Sequence, residues 1–313
     1  MRGSATIVFD PLSAMSNKSI PRFFVLVGMA LFLSSCGSVP FTGRRQLQLV
    51  SNEEVIALSL QQYQEFMRQA PVEKNSAHAK MVRNVGIRIA NAVKTFYTNN
   101  GLASELDNFA WEFNLVKDKS VNAFAMPGGK VVVYSGLLPI TQSEEALAVV
   151  VGHEIAHVIA RHANERISQQ IALRYGGAIA GGLLGNSQTT RQLGNTVFGL
   201  GAQLGVMMPY ARKQEYEADE IGLILMAIAG YNPQAAVPFW KRMSQSSGGS
   251  VPEFLSTHPT DAKRISRIES IMPSVLQYYI GSGIQNPTRR SIKTKTAIPV
   301  KNQRARTSKE WTF

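Results

Sequence analysis

Residues 144–160 read EEALAVVVGHEIAHVIA. A long apolar run that carries two histidines four residues apart decides the architecture. On an α-helix, positions four apart differ by about 40° and one turn of rise, so His153 and His157 aim their rings at one place. Glu154 lies about 60° from His157 around the same helix. Buried without partners, these three groups would lose roughly several kcal/mol of solvation. Neutral imidazoles are good zinc ligands, and the carboxylate beside them stands where it can take a proton from the attacking water.

A catalytic zinc needs a third protein ligand. Where that ligand is a histidine six residues beyond the second, a glycine also precedes it. Here those positions are Ala163 and Ala160, which excludes that class. His162 falls one residue off and is expected at the surface or beside a ligand. Residues 212–219 read RKQEYEAD. Glu215 and Asp219 are four apart on one helical face, so one carboxylate can ligate the metal while the other accepts the second N–H of a ligand histidine. Glu217 lies on the opposite face, where solvation is expected and zinc binding should not need it.

Other elements are arranged around this pair of helices. Ser51 before Glu53 and Glu54 starts a helix over 53–69, and Val82, Val85, Ile89 and Val93 mark a second that ends at Asn99-Asn100-Gly101. Trp111, Phe113 and Leu115 alternate with polar residues as in a strand, and 121–126 and 130–134 flank the turn Pro127-Gly128-Gly129 as a hairpin. Thr141 with Glu144 fits a capping box for a helix over about 142–168. Further helices are expected at about 211–229, ending at Gly230, and 260–272. Residues 176–205 hold nine of the 25 glycines, and their apolar patches are shorter than the roughly 20 residues of a membrane span. They fit close-packed short helices, a loop over the domain, or a membrane-dipping hairpin.

The ends carry different signals. Lys18 and Arg22 precede the apolar run FFVLVGMALFL at 23–33, followed by Leu33-Ser34-Ser35-Cys36. This describes a secretory signal peptide over residues 1–35, with Met15 a more ordinary start than Met1. The small residues before the cysteine resemble a bacterial lipobox. That resemblance implies a mature chain acylated at Cys36, with Gly37 after it directing the protein to the periplasmic face of an outer membrane. Residues 36–50 then read as a tether, 51–275 as the folded domain and 276–313 as a basic, disordered tail. The formal charge is +12, but eight basic residues against Glu310 alone fall in 286–313. The remainder is only mildly basic, so no nucleic-acid partner is expected. Cys36 is the single cysteine, which excludes a disulfide framework and a multi-cysteine zinc site.

HEIAH followed by EYEAD resembles the zinc metallopeptidase family that holds HtpX, the CAAX prenyl endopeptidase, the mitochondrial Oma-type protease and the periplasmic BepA and LoiP proteases. The likeness runs from about residue 40 to 270. It includes VNAFAMPGGKVVVYSGLL from 121, and Ser256-Thr257-His258-Pro259 with Arg264 six residues beyond His258. It implies a gluzincin fold: α+β, mainly helical, with a small sheet and an edge strand beside the active-site helix. It also implies one Zn2+ per chain on His153, His157 and Glu215, Glu154 as the base, and Asp219 behind a ligand histidine. His258 or Arg264 would supply a donor to the developing oxyanion; alternatively His258 would take the fourth metal position and hold the enzyme off. Substrate would pair as an added strand along Asn122, Ala123, Phe124 and Ala125.

Lacking the membrane spans of HtpX and the prenyl endopeptidase, the chain fits the soluble lipoprotein branch. The function expected is hydrolysis of unfolded or misassembled cell-envelope proteins by a lipid-anchored endopeptidase. The rival is an outer-membrane assembly chaperone with a gated or weakly active zinc site.

Overall fold

The computed structural model describes residues 36–179, 212–246, 252–258 and 262–279. Residues 1–35, most of the glycine-rich 176–205 segment and the basic tail lie outside them. Among the described residues, no helix is long and apolar enough to cross a membrane.

The chain opens with β1 (Cys36–Ser38) and β2 (Arg45–Leu47), paired antiparallel with Cys36 opposite Leu47. The stretch read as a tether is therefore folded: Val39 and Phe41 between the strands are buried in the main core. Phe41 stacks on Phe96 with ring centroids 3.6 Å apart.

Helix α1 (Asn52–Gln69) starts where Ser51 Oγ accepts from Glu54 N at 3.1 Å, as the sequence suggests. Strand β3 (Val72–Glu73) leads to α2 (Ala77–Asn99), capped by Ser76 and released by Gly101 at φ 71°. Strands β4 (Glu112–Val116), β5 (Ala123–Met126) and β6 (Lys130–Tyr134) complete a four-stranded sheet in the order β3-β4-β6-β5. Strands β4 and β6 run parallel; β5 pairs antiparallel with β6, Ala125 opposite Val131. Gly128 and Gly129, at φ 85° and 90°, close the expected hairpin in a conformation other residues rarely adopt. β5 is thus an edge strand.

A short helix α3 (Leu138–Thr141) precedes the central helix α4 (Glu144–Ile159). Its cap is Ser143, whose Oγ accepts from Ala146 N at 3.2 Å, rather than the expected Thr141, which belongs to α3. Every residue of α4 from Ala146 to Ile159 is buried. At roughly 1.5–3 kcal/mol for each large apolar side chain buried, this helix is the core around which the others pack. The single helix expected to run on to about 168 is in fact two. Arg161 turns left-handed at φ 56°, its guanidinium 2.9 Å from Glu105, and α5 (His162–Ile179) leaves in a new direction.

Helix α6 (Arg212–Ile228) packs closely against α4 through two glycines. A Cβ on Gly152 would sit 2.8 Å from Gly222 O, and one on Gly222 would sit 2.8 Å from His153 N. Only bare backbone lets the EYEAD turn reach the histidines. Helices α7 (Ala236–Gln245), α8 (Glu253–Thr257) and α9 (Ala262–Val275) close the far side.

Candidate metal centre

Four ligand-type side chains converge from three helices: His153 and His157 from α4, Glu215 from α6, and His258 at the end of α8. All are buried, at 1–2% exposure. His153 Nε2 and His157 Nε2 are 3.0 Å apart. Each is 3.4 Å from a Glu215 carboxylate oxygen. His258 Nδ1 lies 3.2 Å from His153 Nε2 and 3.1 Å from Glu215 Oε1. Tetrahedral bonds of about 2.0–2.1 Å separate ligand atoms by roughly 3.3 Å, so this spacing fits zinc.

Proton placement makes the same point. His153 Nδ1 donates to Asp219 Oδ1 at 3.0 Å. That leaves its Nε2 as a lone pair facing His157 Nε2, itself an acceptor if the His157 proton sits on Nδ1. With the protons so placed, these acceptors at 3.0–3.4 Å form the arrangement that a bound cation would relieve. The carboxylate of Glu215 is held well below its ordinary pKa. Burial opposes this, but His258 and Arg264 outweigh it, so the group is an anion ready to ligate.

Asp219 accepts two bonds from Arg264, Nε to Oδ2 at 2.7 Å and Nη2 to Oδ1 at 2.8 Å. Arg264 also meets Glu215 Oε2 at 3.0 Å, and its guanidinium lies 3.8 Å from the centroid of the Trp240 ring. It is 1% exposed and committed to the two α6 carboxylates. That geometry makes it a holder of ligands and differs from the oxyanion donor expected of it.

Glu154 is 3% exposed; Oε2 accepts from Ala125 N at 3.1 Å, and Oε1 has no hydrogen-bond partner among the described residues and lies 3.5 Å from His258 Nε2. Burial pushes its carboxyl up to about 7. The bond to Ala125 ties the catalytic helix to the edge strand. Because Tyr134 N bonds Asn122 O at 3.0 Å, the alternation of an antiparallel pair turns the backbone polar groups of Ala123 and Ala125 away from β6. The four residues 122–125 are buried at 7% exposure or less, and a narrow cleft beside them is bordered by Ala125, Pro127, His157 and Val158.

One group differs from expectation. Glu217 is buried at 6% and bonded to Arg44, Thr42 and His162; it is not solvated. The helical wheel placed it correctly opposite Glu215, but the N-terminal hairpin covers that face. His162 is fully buried beside His157, their Nδ1 atoms 2.8 Å apart, which is one of the two places expected for it. In a continuous helix it would stand about 140° away from His157. The Arg161 turn brings it back, and no local sequence pattern announces that turn.

This helical fold, with a buried His-Glu-His helix and a carboxylate helix against it, is that of a zinc metalloprotease. Residues 87–272, more than half of the chain, match Peptidase family M48, and the chain belongs to that family. It is 33% identical over 237 residues to the mitochondrial metalloendopeptidase OMA1 of Schizosaccharomyces pombe, covering 75% of this chain and 66% of that one. It is 31% identical over 282 residues to OMA1 of Saccharomyces cerevisiae, covering 85% and 79%. The Escherichia coli β-barrel assembly-enhancing protease is 27% identical over 258 residues, covering 79% of this chain and half of that one.

These identities overturn the location read from the N-terminus. The relatives of higher identity are mitochondrial, which points to a mitochondrial rather than a bacterial-envelope, outer-membrane setting. Basic, acid-poor leaders with apolar stretches serve more than one targeting route, so residues 1–36 did not discriminate between them.

Proposed function

We propose that the chain is an endopeptidase that hydrolyses unfolded or misassembled protein segments held as an added strand on β5, and that His258 gates it. The observation that carries the catalytic part is Glu154 Oε1, buried beside the ligand cluster without a hydrogen bond and 3.5 Å from His258 Nε2, while Oε2 is fixed by the edge strand. His153, His157 and Glu215 would hold the zinc, which would supply Lewis-acid polarisation of the scissile carbonyl and acidify the attacking water. Glu154 Oε1 takes the proton of that water and passes it to the leaving amine nitrogen. Ala123, together with the carbonyl of Ala125, aligns the substrate through backbone hydrogen bonds, which read extended chain more than side-chain identity. Asp219 fixes the His153 ring, and Arg264 fixes both α6 carboxylates.

Support for gating is the place of His258 Nδ1, 3.2 Å from one ligand atom and 3.1 Å from another, where water and carbonyl would otherwise enter. The ring also stacks on Phe254, with centroids 4.6 Å apart, and its backbone N bonds Phe254 O at 2.8 Å, so it moves with the short helix α8. Cleavage of an unfolded protein at matched zinc occupancy tests both parts. Glu154→Gln should abolish turnover, and His258→Ala should raise basal turnover severalfold. A fall of roughly a hundredfold in His258→Ala would assign the ring to the oxyanion instead. No change in either variant would remove both residues from the mechanism.

A further inference from the structure

His153 Nδ1 meets the carboxylate of Asp219, whereas His157 Nδ1 meets another histidine. A chain of side chains runs from His157 to the N-terminal hairpin. His157 Nδ1 meets His162 Nδ1 at 2.8 Å, and His162 Nε2 meets Glu217 Oε2 at 2.9 Å. Arg44 Nε donates to that same oxygen at 2.7 Å, and the Thr42 hydroxyl donates to Glu217 Oε1. Arg44 is itself set by Glu165, which accepts from Nη1 at 2.7 Å and Nη2 at 2.8 Å. Glu165 in turn accepts from Gln214 Nε2 at 2.7 Å, next to the ligand Glu215.

The order of donors follows from the far end. An ionised Glu217 only accepts, so the His162 proton lies on Nε2 and its Nδ1 is a lone pair. His157 must then donate from Nδ1, which leaves its Nε2 free for the metal. A ligand histidine whose second nitrogen is so engaged has a fixed ring and a more basic ligating atom.

We propose that His162, Glu217 and Arg44 are positioning residues of the metal centre, a histidine-extended counterpart of Asp219, and that the hairpin of residues 36–47 is thereby a working part of the site. This rests on the zinc reading of His153, His157 and Glu215. Arg44 supplies the positive charge that lets two carboxylates stay ionised in one buried place, and the two strands of the hairpin hold it there. Loss of the hairpin would leave Glu165 and Glu217 facing each other without a cation, and the His157 ring without its anchor.

The test uses the full chain loaded with zinc, and reads zinc affinity and release to a chelator. His162→Ala and Glu217→Ala should weaken zinc about 10–100-fold, the usual effect of removing the partner of a ligand histidine. Arg44→Ala should speed release at least threefold, and Arg44→Lys, which cannot fork between both carboxylates, should do so partially. Lys241→Ala, on an exposed pair with Glu269, is the control and should change nothing. Affinities within twofold of wild type in folded His162→Ala and Glu217→Ala would overturn the proposal, as would unchanged release in Arg44→Ala. Should the buried variants not fold, long-range 1H–15N spectra of the wild-type zinc protein decide. His157 protonated on Nδ1 and His162 on Nε2 support it, and any other arrangement overturns it. His153→Ala separates this idea from its foundation: if that variant kept wild-type zinc affinity, the zinc site itself would be misassigned.

Discussion

Replacing Glu154 by Gln should stabilise the zinc-free protein at neutral pH while it destroys catalysis. In the unfolded chain this carboxyl ionises near its ordinary 4.5; in the folded protein burial holds the proton until about 7. Between those values folding takes up a proton, so stability falls as pH rises through the window, and the loss is complete above about pH 7. Two and a half units at 1.36 kcal/mol each give about 3 kcal/mol. Glutamine has the same shape and no charge, so it escapes that loss. Its advantage should be near zero at pH 4.5 and reach about 3 kcal/mol at pH 8. For a domain of this size that is roughly 6–12 °C in Tm. Thermal unfolding of both proteins after chelation, in buffers from pH 4.5 to 8, measures it. Zinc should narrow the gap, because a nearby cation favours the carboxylate. Parallel pH profiles for the two zinc-free proteins would refute the claim that burial, with the Glu215 charge beside it, keeps this base protonated.

Asp219→Asn should weaken zinc about 10–100-fold through the His153 ring. It should also cost about 3–5 kcal/mol by leaving the buried Arg264 short of a partner, read by chemical unfolding. Gly222→Ala places a Cβ 2.8 Å from Gly152 and His153 backbone, so α4 and α6 must separate. About 1–3 kcal/mol of stability should go, together with zinc affinity, and a wild-type Kd would show that the glycine contact does not set the ligand spacing.

What could be read in the chain was what repeats locally. The 3.6-residue period carries His153, Glu154 and His157 to one face, and the same period carries Glu215 and Asp219. Turn chemistry at Gly128 and Gly129 and the cap at Ser51 are equally local. The misreadings were of another kind. Thr141 satisfied the capping pattern, but Ser143, two residues on, made the bond because α3 had already used Thr141. The solvation expected for Glu217 holds only if nothing covers its helix, and the helix expected to run on to about 168 holds only if nothing breaks it. A hairpin more than a hundred residues away covers Glu217, and a left-handed Arg161 ends the helix. Long-range contacts of this sort leave no period in the sequence.

The buried charges explain why a metal belongs here and not merely why it fits. Asp219 and Glu215 are both held as anions, and Arg264 balances one of them. With Glu154 ionised as well, the pocket would hold a third carboxylate away from water, and Glu154 answers by keeping its proton to about 7. A divalent cation on His153, His157 and Glu215 would favour the ionised form of Glu154. On the proposed mechanism, the group that accepts a proton during hydrolysis is then the one whose ionisation the metal favours, so loading the site would also arm the base.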